Sequence, residues 1–322
     1  MSVADRGRAL EALERLGAPV VALGSLNADL TVTTQRLPGP GETVVGSDLR
    51  ILPGGKSANQ AATAALLGVP TTMIGAVGRD GNGQLLLESL ALKGVDTRHV
   101  YEREVATGTA MITVDAAAEN TIVISPGANA TLTPADVVEK AQVIAEAGAL
   151  GLCLEVSLET VTAAARCAHE AGVPVVLNVS PARQLSAELL ELTDVLIVNQ
   201  HELALVSGQS VDTADLEQVA KAFMAAGVKR GVLTLGGAGS LIYEEGRLEW
   251  VAAFKVTPVD TTGAGDSFMG TLLSALASGI SLADGATLAA AVAACSTTKV
   301  GAQASYASAD EVREFLKRAS PT

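Results

Sequence analysis

The sequence predicts a doubly wound α/β domain: a mostly parallel sheet covered at one end by a small four-stranded β lid. Three features predict it. From about Thr71 onward, short apolar strands alternate with helical segments, the rhythm of βαβ units feeding a parallel sheet. Two β-rich pairs, at about 29–51 and 105–126, break that rhythm, with no helix inside either pair. The stretch Val259-Asp260-Thr261-Thr262-Gly263-Ala264-Gly265-Asp266-Ser267-Phe268 opens a helix of small and apolar residues running to about Ala277.

The elements follow in order. Ala9, Leu10, Leu13 and Leu16 recur at helical spacing, so residues 1–18 read as an N-terminal extension, a short amphipathic helix outside the main fold. The main domain then spans 19–322. Pro19 to Gly24 is a short buried-type strand. Ser25-Leu26-Asn27-Ala28-Asp29 follows its C-terminal end, where open parallel sheets bind ligands. Asn27 and Asp29 suit sugar hydroxyls there, although an Asx turn uses the same residue types. Leu30–Thr34 and Thr43–Leu49 read as strands around Pro38-Gly39-Pro40-Gly41. Thr107–Val114 and Asn120–Ile124 supply the other half of the lid, which would exclude water from a transfer reaction.

Between the halves lies Pro53-Gly54-Gly55-Lys56-Ser57-Ala58-Asn59-Gln60, leading into a helix with a small face of Ala58, Ala61, Ala62 and Ala65. A Walker A motif would need glycine five residues before Gly55, and that residue is Arg50. The stretch suits instead a close backbone approach at a helix N-terminus, with Lys56 or Asn59 reaching a polar ligand. Further along, strands end in Glu155, in Asn199-Gln200-His201-Glu202, and in Gly236-Gly237-Ala238-Gly239. Thr133-Pro134 reads as an N-cap followed by proline at the first helical position. The polar residues Asn27, Asp29, Glu155, Asn199 and Glu202 together outline one crevice.

Composition narrows the classes. The 322 residues are 48% hydrophobic and carry a net charge of −13, with no basic patch of the kind a nucleic-acid binder shows. An acidic chain that handles a phosphate must make its positive field locally, from helix ends, one or two Lys or Arg, and a metal ion. The three cysteines, Cys153, Cys167 and Cys295, lack metal-type spacing and read as reduced thiols of a cytoplasmic protein. The first residues lack an apolar signal core, and no apolar run is long enough to span a membrane. His99, His169 and His201 share no spacing, and His201-Glu202 is followed by leucine at 205, so no zinc-protease helix forms.

The glycines at 263 and 265 let the chain turn tightly before a helix whose free N–H groups and positive dipole end face back at the turn. That is an anion site. A carboxylate within it, Asp266, makes sense as a base that takes a proton from a hydroxyl while the N–H groups hold developing phosphate charge. The alternative is an aspartate that merely caps the helix.

With these motifs the chain resembles the PfkB family of sugar kinases, and within it the ribokinase group, from about Pro19 to Phe315. The motifs are Gly24–Asp29, Pro-Gly-Glu-Thr at 40–43, Gly54–Gln60, Asn199–Glu202, Asp260–Asp266 and Gly301-Ala302-Gln303. The resemblance implies a ribokinase-like fold and transfer of phosphate from ATP to the 5-hydroxyl of D-ribose. Another small sugar or nucleoside is the alternative substrate, and a non-catalytic sugar-binding regulator the alternative role. It implies Asp266 as the catalytic base, with Gly263, Ala264 and Gly265 as the anion hole. It implies Asn27, Asp29, Gly55, Lys56, Asn59 and Glu155 on the sugar. Asn199, Thr234, Gly236, Gly239 and Gly265 would serve ATP, and Glu202 would hold Mg²⁺ through water. Asp260 and Thr262, with Lys299, Gly301 and Ser305, would hold an activating K⁺. It also implies a homodimer through the lid. Ser57 departs from the glycine common at that position.

Overall fold

The computed structural model describes residues 2–117 and 119–318. Its strands are β1 (Val20–Leu23), β2 (Asn27–Thr33), β3 (Arg50–Gly54), β4 (Thr71–Gly78), β5 (Val95–Arg103), β6 (Gly108–Val114) and β7 (Asn120–Ser125). They continue as β8 (Ala149–Leu152), β9 (Val175–Asn178), β10 (Val195–Asn199), β11 (Arg230–Thr234), β12 (Gly239–Glu244) and β13 (Arg247–Ala252). Among the described residues, nine strands form one sheet in the order β13-β12-β11-β10-β9-β8-β1-β4-β5, and four form a second in the order β3-β2-β6-β7.

The large sheet is parallel from β5 to β11, and β12 and β13 add an antiparallel edge. From β1 the chain winds outward to β4 and β5, then returns to build β8, β9 and β10 on the other side. The topological switch therefore falls between β1 and β8, where doubly wound folds bind ligands. Alternate strand residues feed different cores. Val21, Leu150, Leu177, Leu196 and Val198 pack with Val161, Leu203 and Phe223 on one face. Val20, Ala149, Val176, Val195 and Ile197 pack with Phe268, Met269, Leu272 and Leu273 on the other. Both faces are covered, which is why these strands read as unbroken apolar runs.

Two expectations are corrected. Thr43–Leu49 is irregular, and the strand beside β2 is Arg50–Gly54. Asn27 pairs with Gly54 and Thr31 with Arg50, so that edge of β2 is filled by residues running straight into the Gly55 turn. Residue Ser47 merely meets the end of β2, its N–H donating to the Thr33 carbonyl at 2.8 Å. The N-terminal helix, Val3–Glu14, does not lie outside the main fold. Ala9, Ala12 and Leu13 are buried against Leu288, Ala291, Val292, Val312 and Leu316, because the helices Leu282–Ser296 and Ala309–Arg318 leave an apolar groove that this stripe fills. β5, β12 and β13 carry no clean apolar alternation, so the sequence pattern does not mark them as strands.

Candidate active site

Asp266 sits in the first turn of the helix Ala264–Ala277, whose N-cap is Gly263 in the left-handed region at φ 75°. The capping alternative fails on this geometry. Asp266 is three residues past the N-cap, no side chain caps this helix, and the Asp266 carboxylate points across to the neighbouring helix Lys56–Leu66. There Asn59 Nδ2 donates to Asp266 Oδ2 at 2.8 Å. The helices approach this closely because residue 270 is glycine: a Cβ there would collide with the Gln60 carbonyl. Burial pushes the Asp266 carboxyl above the usual carboxylate range, opposed by the Lys56 ammonium and the Asn59 donor.

The residues expected to form the anion hole lie together but are not equivalent. The Ala264 N–H donates to the Thr261 carbonyl at 3.2 Å within the turn. The N–H groups of Gly263, Gly265 and Asp266 belong to the opening turn of the helix, where no intrahelical acceptor is available. Tyr306 Oη donates to the Gly263 carbonyl at 3.1 Å and so fixes the orientation of that peptide.

The expected sugar residues converge from four elements. Asn27 and Asp29 open β2 instead of lying in a loop, and their spacing of two sets both on one face of the lid sheet. Glu155, just past β8, accepts from Ser25 Oγ, from Asn27 Nδ2 at 3.4 Å and from the Lys56 N–H at 3.2 Å. Gly55 makes the turn at φ 91°, and a Cβ there would stand 2.6 Å from the Asn27 nitrogen and 2.8 Å from the Leu26 Cα. Burial, with Glu155 and Asp266 nearby, pushes the Asp29 carboxyl up to about 7. Burial alone would lower the Lys56 ammonium, but Asp266 and Glu155 outweigh it and hold it above its ordinary value. In a chain of net charge −13, Lys56 and the helix N-terminus are the local positive field.

At the C-terminal ends of β10 and β11, Asn199 and Thr234 line a cleft of about 860 Å³ shared with His201, Val211, Leu235 and Trp250. Asn199 and Glu202 also form a reciprocal cap of the helix Gln200–Ser207: the Glu202 N–H donates to Asn199 Oδ1 at 2.9 Å, and the Asn199 N–H to Glu202 Oε2 at 2.8 Å. Burial pushes the Glu202 carboxyl up. Thr234 Oγ1 donates to the Val198 carbonyl at 3.3 Å, and Gly236 and Gly239 belong to a turn closed by the Leu235 N–H on the Gly239 carbonyl at 2.8 Å.

Among the residues expected around a monovalent cation, Asp260 accepts from the N–H groups of Thr262 at 2.9 Å and Gly301 at 2.8 Å, tying the two segments together. Lys299 sends its ammonium away to Glu311 at 2.9 Å, and Ser305 Oγ donates to the Ala302 carbonyl at 2.8 Å. Among the described residues, no cluster of three or more His, Cys, Asp or Glu side chains could hold a metal.

Sequence reasoning missed Asn129 and Tyr306, and it named Ser25 and Gln303 only within the motifs Gly24–Asp29 and Gly301-Ala302-Gln303, without a place beside the sugar residues. Asn129 brackets Leu26, accepting from its N–H and donating to its carbonyl at 3.0 Å each, and also donates to Asn27 Oδ1 at 2.8 Å. Its signal was a polar residue in the turn that follows a strand, Pro126-Gly127-Ala128-Asn129.

A lidded, doubly wound sheet with a buried carboxylate in the first turn of a helix fits a class, the small-molecule phosphotransferases. A family model described as pfkB family carbohydrate kinase matches residues 18–309, and the chain belongs to that family. The ribokinase of Haemophilus influenzae is 38% identical over 304 residues, covering 93% of this chain and 99% of that protein. The ribokinase of Staphylococcus aureus is 37% identical over 299 residues, covering 92% and 98%. The structure of Arabidopsis thaliana ribokinase complexed with ribose and ATP matches with a TM-score of 0.86 at 32% identity, covering 94% of this chain and all of that one.

Proposed function

We propose that this chain transfers the γ-phosphoryl group of ATP to the 5-hydroxyl of D-ribose, giving ribose 5-phosphate and ADP. The observation that carries the reading is Asp266: a buried carboxylate in the first turn of a helix, bonded to Asn59 and facing Lys56, under a lid that presents Asn27 and Asp29. Asn27, Asp29, Gly55, Lys56, Asn59 and Glu155 offer a dense polar set for a compact polyol, and a site built to bond hydroxyls rejects analogues that lack them.

Asp266 orients the sugar hydroxyl and takes its proton as the oxygen attacks phosphorus in line. The N–H groups of Gly263, Gly265 and Asp266 face the charge that develops on the transferring group, and positioning and electrostatics carry most of such a reaction. The raised affinity of Asp266 for a proton moves it toward the range in which a base works near neutral pH. Closure of the lid excludes water.

Two cation requirements belong to this reading, each supported by one carboxylate. Glu202 is a buried carboxylate on the helix whose Asn199, Gln200 and His201 line the cleft proposed for the nucleotide, and a carboxylate there would hold Mg²⁺ through water. Mg²⁺, when bound, neutralises phosphate charge. Asp260 is held below the usual carboxylate range by the hydrogen bonds it accepts, despite partial burial, and an anionic side chain there suits a monovalent cation, K⁺, beside the 260–265 turn. Gly301 joins that site through its backbone and Thr262 through its place in the turn.

The lid supports a homodimer. Ile51, Leu30, Met111 and Val123 pair in one row across the four lid strands, on the face opposite Asp29. Met111 is 50% exposed and Val123 60%. No helix among the described residues is long and apolar enough to cross a membrane, and the cysteines are free thiols, which suits a cytoplasmic enzyme.

The test is sugar-dependent ADP release across a panel of pentoses, ketohexoses and nucleosides with ATP, Mg²⁺ and K⁺. D-ribose gives the highest kcat/KM; a ketohexose or nucleoside that outperforms it overturns the substrate.

A further inference from the structure

We infer that Gln303 is a positioning residue that orients the catalytic carboxylate through the side-chain amide of Asn59. This rests on the reading of Asp266 as the base. Gln303 is 4% exposed, and its Nε2 donates to Asn59 Oδ1 at 3.1 Å. Asn59 in turn donates through Nδ2 to Asp266 Oδ2 at 2.8 Å. An asparagine amide is nearly symmetric in shape, so the donor on its oxygen decides which end meets Asp266. Turned over, Asn59 would set oxygen against a carboxylate.

The direction of the chain is fixed at both ends. Lys93 Nζ, which can only donate, donates to Ser89 Oγ at 2.8 Å, and Ser89 Oγ donates to Gln303 Oε1 at 3.4 Å. Asp266, as a carboxylate, can only accept. Every amide and hydroxyl between them is thereby oriented. Gln303 also lies in the same segment as Gly301, bonded to Asp260, and Tyr306, bonded to the Gly263 carbonyl. One segment, 301–306, thus sets the base and the turn that faces the phosphoryl group.

The test compares wild type, Gln303→Met, Asn59→Ala and the double variant at saturating ATP and ribose, with kcat followed against pH. Asp266 is faced by Lys56 from its own neighbouring helix, Glu155 beyond β8, Asp29 on β2 and Tyr306, and none of these changes in the variants. Gln303→Met frees Asn59 to turn. The expected result is a kcat lower by about tenfold, the scale of one hydrogen bond to a charged group. The acidic limb of the pH profile moves upward, since the carboxylate has lost a donor. In the Asn59→Ala background, Gln303→Met has no further effect on either quantity. Additive losses, or an unmoved acidic limb, overturn the inference and leave a merely structural glutamine. If Gln303→Met does not fold, Ser89→Ala decides: it removes the donor to Gln303 Oε1, and an acidic limb that stays in place overturns the inference. A wild type without ribose-dependent ADP release defeats the proposed function itself, which is a different outcome from an active wild type with additive variants.

Discussion

Asn129 is bonded to Asn27 by a 2.8 Å hydrogen bond from its Nδ2, across 102 residues of sequence. The same side chain holds the Leu26 backbone at both its N–H and its carbonyl. The start of the lid strand is therefore fixed to the loop that leaves the lid. Replacement by alanine leaves buried polar groups of Leu26 without partners, at a cost of about 1–3 kcal/mol each. Asn129→Ala should lower the melting temperature and weaken ribose binding by about tenfold, the scale of one misplaced contact. Nucleotide affinity stays near wild type. Calorimetry on one preparation measures all three, and unchanged ribose affinity would remove Asn129 from the site.

Asp266→Asn keeps size and shape, and its side-chain oxygen can still accept from Asn59, so the variant should fold with near-normal melting. It cannot accept a proton. Loss of a general base costs about 10²–10⁴ in rate, so kcat should fall at least about a hundredfold. Ribose affinity should stay within about tenfold, because binding needs no proton transfer. A folded variant with more than a few tenths of the wild-type kcat would show that the base lies elsewhere.

Asp29 gives a pH signature with a definite sign. Its folded value of about 7 lies above the ordinary carboxylate value near 4. Between those values the unfolded chain releases a proton that the folded chain keeps. Its contribution to stability therefore falls as pH rises from about 4 to about 7, and is level beyond. Asp29→Asn removes that fall, so the variant should gain stability over wild type at pH 7 relative to pH 5, while losing ribose affinity. Urea unfolding at the two pH values reads the difference, and an equal offset at both would refute it.

Activity should require Mg²⁺ and rise with K⁺ relative to Na⁺ or no added salt. Asp260→Ala unties residue 301 from the 260–262 turn and should abolish the response to K⁺. Equal rates in K⁺ and in a large organic cation, at matched ionic strength, would count against a monovalent site.

The apolar outer row of the lid should hold two copies together. Met111→Asp combined with Val123→Asp places charges at exposed positions of a single chain, so the fold should persist while the sedimenting mass falls from two chains to one. A wild type that sediments as a single chain at micromolar concentration would exclude the lid as an interface.

The parts legible in the sequence were those written locally. Unbroken apolar runs such as Val195–Val198 mark strands buried on both faces, and Thr133-Pro134 marks a helix start with its side chain bonded to the Asp136 N–H. Gly263 and Gly265 ahead of small residues marked the tight turn into the helix Ala264–Ala277. Asp266 itself was legible as a residue but ambiguous in role, since a cap and a base use the same side chain. Tertiary structure disposed of the cap and left the base as the reading proposed here. A glycine at 270 lets two helices touch, and that contact joins Asn59 to Asp266 across 207 residues.

By itself the sequence determined the βα rhythm, the split lid and the residue types of the crevice, because periodicity and turn chemistry act over a few residues. Only the folded chain decided that Arg50–Gly54 pairs with β2, that the first helix joins the core, and that Gln303 and Asn129 stand behind the site residues. Those outcomes depend on which edge is left to pair, which groove is left to fill and which buried amide needs a donor. Each is settled by groups more than a dozen residues away, brought together by packing that leaves no periodic trace in the chain.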